Sequence, residues 1–280
     1  MKTLLICHAE APIDREGLAR WLASFSELVG IIELDELPDR KRKRVRKELE
    51  RVGAIRFLDV LAFRLFYRLR LAAADAAWES DTLARLRAQH PNAGNPRVLR
   101  TPTPNSPEAE AFIKELAPDV MIARCKTLLA ERIFSVPTVG TFVMHPGVCP
   151  EYRNAHGGFW ALANDDLDKV GVTLLKIDKG IDTGPVYGYF TYPYDETRES
   201  HIVIQQRCLF DNLAAVRAKI EEVCAGRARS IDTRGRPSGE WGQPWLTRYL
   251  RWRRRARARA RAGTRTSTSG PAAGKPEAAR

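Results

Sequence analysis

Apolar positions along the chain alternate between short continuous runs and stretches with three- and four-residue spacing. Lys2 to Cys7 (KTLLIC) reads as a buried strand. Arg15 to Phe25 reads as a helix with Leu18, Trp21, Leu22 and Phe25 on one face, and Leu28 to Leu34 (LVGIIEL) as a second strand. This β-α-β opening predicts an α/β fold with a doubly wound, mostly parallel sheet. The rhythm breaks over 36–95. There Leu58, Leu61, Ala62, Leu65, Phe66 and Leu69 keep helical spacing, with Arg56, Arg64, Arg68 and Arg70 among them. One or two long helices ending by about Trp78 and another over Asp81 to Gln89 are expected. A basic amphipathic helix can lie on a membrane surface, but packing on the sheet as a helical insertion is the reading taken here.

The alternation resumes with strands at Arg97 to Thr101, Asp119 to Ala123, Val139 to His145 and Val170 to Ile177. Asn105-Ser106-Pro107 followed by Glu108 and Glu110 marks a helix start, with proline in the first turn and acids at the positive end of the dipole. A short helix over Leu128 to Phe134 and a closing helix over Ile202 to Cys224 complete the pattern, the latter carrying Leu209, Leu213, Val216, Ile220 and Val223. The expected organisation is one domain over 1–250 with 36–95 as its insertion, then a disordered basic tail over 251–280.

Charge changes that picture only at its margins. Of the formal net charge of +12, residues 251–280 hold nine arginines and Lys275 against Glu277, and Arg40 to Lys47 hold seven basic residues in eight positions. The tail, opening RWRRRARARAR, has too little apolar surface to order itself. It is read either as a solvated extension or as a weak, salt-dependent contact for nucleic acid or anionic lipid. Trp241, Trp245, Tyr249 and Trp252 are read as pinning the chain end to the domain surface, with base stacking as the alternative. No apolar run reaches the ~20 residues of a membrane span, and the short block Leu4 to Cys7 does not make a secretory signal. A cytoplasmic protein is expected. Five scattered cysteines without a CxxC pair indicate neither a disulfide framework nor a metal site.

Candidate chemistry sits at two strand ends, where open α/β sheets bind ligands. One strand delivers His145-Pro146-Gly147-Val148-Cys149-Pro150. Proline biases His145 toward extended geometry, so its imidazole projects from the strand end. The other ends in Asp178-Lys179-Gly180-Ile181-Asp182-Thr183-Gly184-Pro185, where flanking glycines allow a tight loop with positive φ that turns Asp182 inward. Histidine and carboxylate make a proton-transfer pair. Neither GxGxxG nor a Walker loop follows the first strand, which disfavours nicotinamide and nucleoside triphosphate enzymes.

PTVGTFVMHPGVCPEYRNAHGGFWAL (137–162) followed by GVTLLKIDKGIDTGP (171–185) resembles the folate-dependent formyltransferases, among them the glycinamide ribonucleotide, methionyl-tRNA and sugar-nucleotide enzymes. The resemblance covers about 97–225 and the N-terminal β-α-β. It implies a Rossmann-like fold, 10-formyltetrahydrofolate as co-substrate, no metal, and transfer of a formyl group to an amine. His145 and Asp182 match two of the family's catalytic trio; Val143 stands at the asparagine position, and Leu175 where a further histidine often stands. Lys126, Thr127, Leu128 and Leu129 match the loop that holds the pterin, and Ile177 and Asp178 the segment that wraps it. Arg153, Asn154 and His156 are the implied acceptor-binding residues. The expected acceptor is a small amine, an amino sugar or its nucleotide. The alternatives are hydrolysis of 10-formyltetrahydrofolate, or a catalytically silent fold that binds nucleic acid or membrane through its basic tail.

Overall fold

The computed structural model describes residues 1–35 and 38–262, the side chains of 38–41 and 44 excepted. Its sheet has seven strands, with helices between them. Strand β1 (Lys2–His8) is buried on both faces, as a central strand of a doubly wound sheet must be. β2 (Glu27–Leu34), β3 (Arg97–Thr101), β4 (Val120–Arg124), β5 (Gly140–His145), β7 (Val172–Lys176) and β8 (Val186–Phe190) complete the order β3-β2-β1-β4-β5-β7-β8. The pairs β1–β2, β1–β4, β2–β3 and β4–β5 are parallel. A separate parallel pair joins β6 (Arg153–Asn154) to β9 (Glu240–Trp241).

The chain groups into two compact units where the sequence reading drew one domain. The first is Met1–Met144 with Leu175–Pro185, the second His145–Leu174 with Val186–Arg280. The divisions fall inside strands β5 and β7 and at the start of β8.

In the first unit, Leu4, Ile6, Ile32, Leu34 and Met121 form one sheet face under Ala109, Phe112 and Ile113 of α5 (Pro107–Leu116). Ser106 caps that helix by accepting from the Ala109 amide at 3.1 Å. The other connection is a π-helical turn, Ile13–Leu18, running into α1 (Ala19–Ala23). Three helices follow β2: α2 (Pro38–Val52), α3 (Ala54–Arg70) and α4 (Ala72–Gln89). The break expected near Trp78 is absent, because no glycine or proline interrupts 72–89. Leu83 and Leu86 of α4 pack at Gly17, where an added Cβ would stand 2.7 Å from Leu86. Arg87 grips Glu16 with two bonds at 2.7 and 2.6 Å. Its guanidinium, with Arg20, holds the Glu16 carboxyl at about 2, below the usual range.

In the second unit, α7 (Gly157–Asn164), α8 (His201–Phe210), α9 (Leu213–Cys224) and α10 (Leu246–Arg261) carry the core. Ile202 to Cys224 is two helices, a correction to the single one expected. The Asn212 amide donates to the carbonyls of Cys208 and Thr191, both at 3.0 Å, and turns the chain.

The larger correction concerns the basic tail. Residues 251–261 are helical, part of α10, rather than disordered; 263–280 lie outside the described residues. Tyr249, Trp252 and Ala256 are buried at three- and four-residue spacing. The Trp252 indole donates to Glu196 at 2.7 Å. Arg253 binds the carbonyls of Glu196, Thr197 and Glu199, and Arg255 binds that of Ala163 at 2.7 Å in the last turn of α7. Arg259 clamps Glu196 and reaches Asp165 at 2.6 Å. Fixed acceptors order this arginine helix: carbonyls left over at a helix end and a carboxylate in need of donors. The tryptophans do pin the chain end, Trp241 stacking on Trp160 at 4.9 Å and Trp245 meeting it edge-on at 5.2 Å.

Candidate active site

The expected site residues divide cleanly. Lys126, Thr127, Leu128, Leu129, Ile177, Asp178 and Asp182 belong to the first unit; His145, Arg153, Asn154 and His156 belong to the second.

In the first unit, residues 126–130 follow β4 as a loop. The helix α6 begins only at Glu131 and ends at Phe134, a correction to the start expected at Leu128. Asn105 explains the difference. Its Nδ2 donates to the Leu128 carbonyl and its Oδ1 accepts from the Ala130 amide, both at 2.8 Å, so one side-chain amide holds the loop open at both ends. The Lys126 amide donates to His8 Nε2 at 3.2 Å. Leu129 packs against the sheet core, whereas Leu128 is 62% exposed. Burial pushes the neighbouring Cys125 thiol up to about 11, so it stays protonated at neutral pH.

The loop after β7 is tied from within by Asp178, whose Oδ1 accepts from the Gly180 amide at 2.9 Å and the Thr183 hydroxyl at 2.7 Å. The Ile177 amide donates to the Thr141 carbonyl at 2.7 Å. The glycines act differently from expectation. The positive φ belongs to Asp182 itself, at 51°, a region aspartate tolerates better than most residues. Gly180 and Gly184 supply space instead. A Cβ at Gly184 would fall on the Lys176 carbonyl, and one at Gly180 on the Thr183 hydroxyl.

In the second unit, His145 is buried and its Nε2 stands 2.8 Å from the Tyr152 carbonyl oxygen. A carbonyl only accepts, so Nε2 carries the hydrogen in this contact. Two glycines shape the surroundings. Gly147 and Gly157 meet backbone to backbone, and a Cβ on either would strike the Tyr152 carbonyl at 2.5 or 2.4 Å. The Gly158 amide closes the turn on the Pro146 carbonyl at 2.8 Å. The Cys149–Pro150 peptide is cis.

Arg153 and Asn154 form β6. The Arg153 Nε donates to Ser238 Oγ at 3.0 Å, and the Asn154 amide donates to the Trp241 carbonyl at 2.7 Å. Both side chains thus bind the 238–241 segment. His156 starts α7 in the left-handed region, φ 56°, and its ring lies 6.3 Å from that of His201. Burial, then His156 and Arg253, hold the His201 imidazole well below the usual histidine range, so it is neutral.

Sequence reasoning overlooked three participants: Asn105, the Tyr152 carbonyl and the Gly147–Gly157 contact. The glycines were visible in HPG and HGG; a backbone acceptor has no sequence signature. Among the described residues no group of three or more His, Cys, Asp or Glu can hold a metal ion, and no described helix is long and apolar enough to cross a membrane.

These features define a Rossmann-like α/β protein with a histidine at one strand end and an aspartate loop after another. Residues 79–215 match the family model described as formyl transferase. Over 82 residues it is 40% identical to the methionyl-tRNA formyltransferase of Dehalococcoides mccartyi strain CBDB1, covering 29% of this chain and 26% of that protein. Over 110 residues it is 39% identical to that of Mycolicibacterium gilvum, covering 39% of this chain and 34% of that protein. The match thus spans about a quarter to a third of these relatives. Two solved structures share the fold. A sugar N-formyltransferase from Shewanella sp. gives a TM-score of 0.51 at 11% identity, over 86% of this chain and 77% of that one. The phosphoribosylglycinamide formyltransferase of Anaplasma phagocytophilum gives 0.51 at 12%, over 87% and 99%.

Proposed function

We propose that the protein is a cytoplasmic enzyme that moves a formyl group from 10-formyltetrahydrofolate to an amine of a small acceptor, an amino sugar or its nucleotide. The carrying observation is the ordered pair of motifs inside the matched segment, the HPG strand end at His145 and the aspartate loop at Asp182. The folate loop suits a flat heteroaromatic ring: Leu128 offers an exposed apolar face on a backbone that Asn105 fixes at Leu128 and Ala130. The bound folate supplies an activated formyl carbon on N10.

In this reading the acceptor nitrogen forms a bond to the formyl carbon, and the bond from that carbon to N10 breaks. The proton lost by the amine ends on N10. Asp182 takes or relays that proton, and His145 serves the oxygen of the tetrahedral adduct or the same proton. Each donor aimed at that oxygen is worth about 3–4 kcal/mol. His145 Nε2–H is engaged by the Tyr152 carbonyl, so acting as a donor requires that bond to be shared or released. Val143 offers no polar atom, and His156 is the side chain proposed to compensate. Arg153 and Asn154 are proposed to order the acceptor side through the 238–241 segment, and 263–280 remain a candidate for weak nucleic-acid or anionic-lipid contact.

The test is formation of tetrahydrofolate from 10-formyltetrahydrofolate with and without amino-sugar nucleotides. Amine-dependent turnover is expected, falling at least about 100-fold in His145→Ala and in Asp182→Asn with melting temperature unchanged. Turnover retained in both variants overturns the site; formate release independent of amine favours the hydrolase.

A further inference from the structure

Helix α3 has two apolar faces, and only one is covered. Phe57, Val60 and Phe63 are buried. Ile55, Leu58, Leu61, Leu65 and Leu69 follow three- and four-residue steps along the opposite face, where Ile55 is 86%, Leu58 65%, Leu65 59% and Leu69 70% exposed. Val45 and Leu49 of α2 are exposed as well. Together α2 and α3 hold seven of the twelve large hydrophobic side chains exposed among the described residues. Single exposed leucines are ordinary on a folded surface, whereas a continuous row marks a contact.

Charge identifies the contact. Residues 38–70 carry twelve Lys and Arg against four Asp and Glu. In helical projection, the exposed Arg64 and Arg68 border one edge of the leucine row and Arg70 the other. Their aliphatic stems can lie level with the row while the guanidinium groups reach outward to anions. A second copy seated on this face would set one basic cluster against another. Nucleic acid would meet cations and stacking rings, but the row is aliphatic. An anionic bilayer supplies both what the row needs and what the arginines need.

We propose that α3, with the basic turn of α2, lies flat on an anionic lipid surface, the leucine row entering the interface and the arginines binding headgroup phosphates. The helix does not cross the bilayer; the protein is held peripherally and reversibly.

The test is flotation of the full chain with phosphatidylcholine vesicles, with and without phosphatidylglycerol. Binding to the anionic vesicles and not to the neutral ones is expected. Leu58→Gln/Leu65→Gln/Leu69→Gln should lower the bound fraction at least tenfold with an unchanged melting temperature, since these side chains leave no core. Independently of that variant, Leu65→Trp should add fluorescence that shifts to the blue when anionic vesicles are mixed in. Three results would overturn the proposal: no flotation of the wild type, no shift at position 65, or a triple glutamine variant that still floats while losing self-association or RNA binding.

Discussion

The two arginine-rich regions have opposite fates. In α2 the ion pairs join neighbours on one helix, Arg46 to Glu50 at 2.8 Å and Arg51 to Glu48 at 2.6 Å. In α10 the arginines reach partners 54 to 94 residues away: the carbonyls of 196, 197 and 199, those ending α7, and the carboxylates of Glu196 and Asp165. Composition does not separate them. The difference lies in what faces the helix. α10 lies against groups that need donors, and the planar, many-donor guanidinium satisfies several of them at once. In α2, Arg46 and Arg51 pair with glutamates of their own helix. An arginine-rich stretch is therefore ordered or solvated according to the acceptors within reach.

Three measurements sharpen the contrast, the largest first. Arg259→Ala leaves Glu196, only 7% exposed, with the Trp252 indole as a remaining donor. A loss of about 2–3 kcal/mol in denaturant unfolding is expected, short of the ~3–5 of a wholly buried pair because Arg259 is partly exposed. A loss under about 0.5 kcal/mol would make α10 as superficial as α2.

Acid sensitivity comes next. His201, packed on Tyr249 of α10, titrates well below the usual range when folded and near ~6.5 when unfolded. Below that pH the unfolded chain binds the extra proton, so stability falls as pH falls. The slope reaches about 1.4 kcal/mol per pH unit, and His201→Phe should remove it. Melting temperatures between pH 7 and 5 test this; a flat profile in the wild type contradicts it. The smallest effect belongs to α2, where Arg46→Ala should change unfolding free energy by less than about 0.5 kcal/mol. A larger loss would erase the distinction.

The same contrast explains which parts of the molecule were legible in the sequence. KTLLIC, LVGIIEL and DVMIA announce themselves because strands buried on both faces read as continuous apolar runs. The strand β8, VYGYF, has half-exposed positions and a central glycine, and it left no such mark. The break between α8 and α9 was hidden because apolar spacing continues across it while the amide of Asn212 makes the turn. The order in α10 was hidden because its acceptors are distant in sequence. His145 was legible through the proline that follows it, but the atom it bonds is a backbone carbonyl. In the Asp182 loop the task of the glycines was hidden, since steric room and backbone sign look alike in a string of letters.

The left-handed backbone at Asp182 makes this position unusually suitable for dissecting shape from charge. Asparagine accepts the same dihedral angles, so Asp182→Asn preserves the loop's trace while deleting the anion. Alanine would disturb both together. The paired substitutions therefore distinguish a carboxylate required for proton handling from one retained only because it bends the chain.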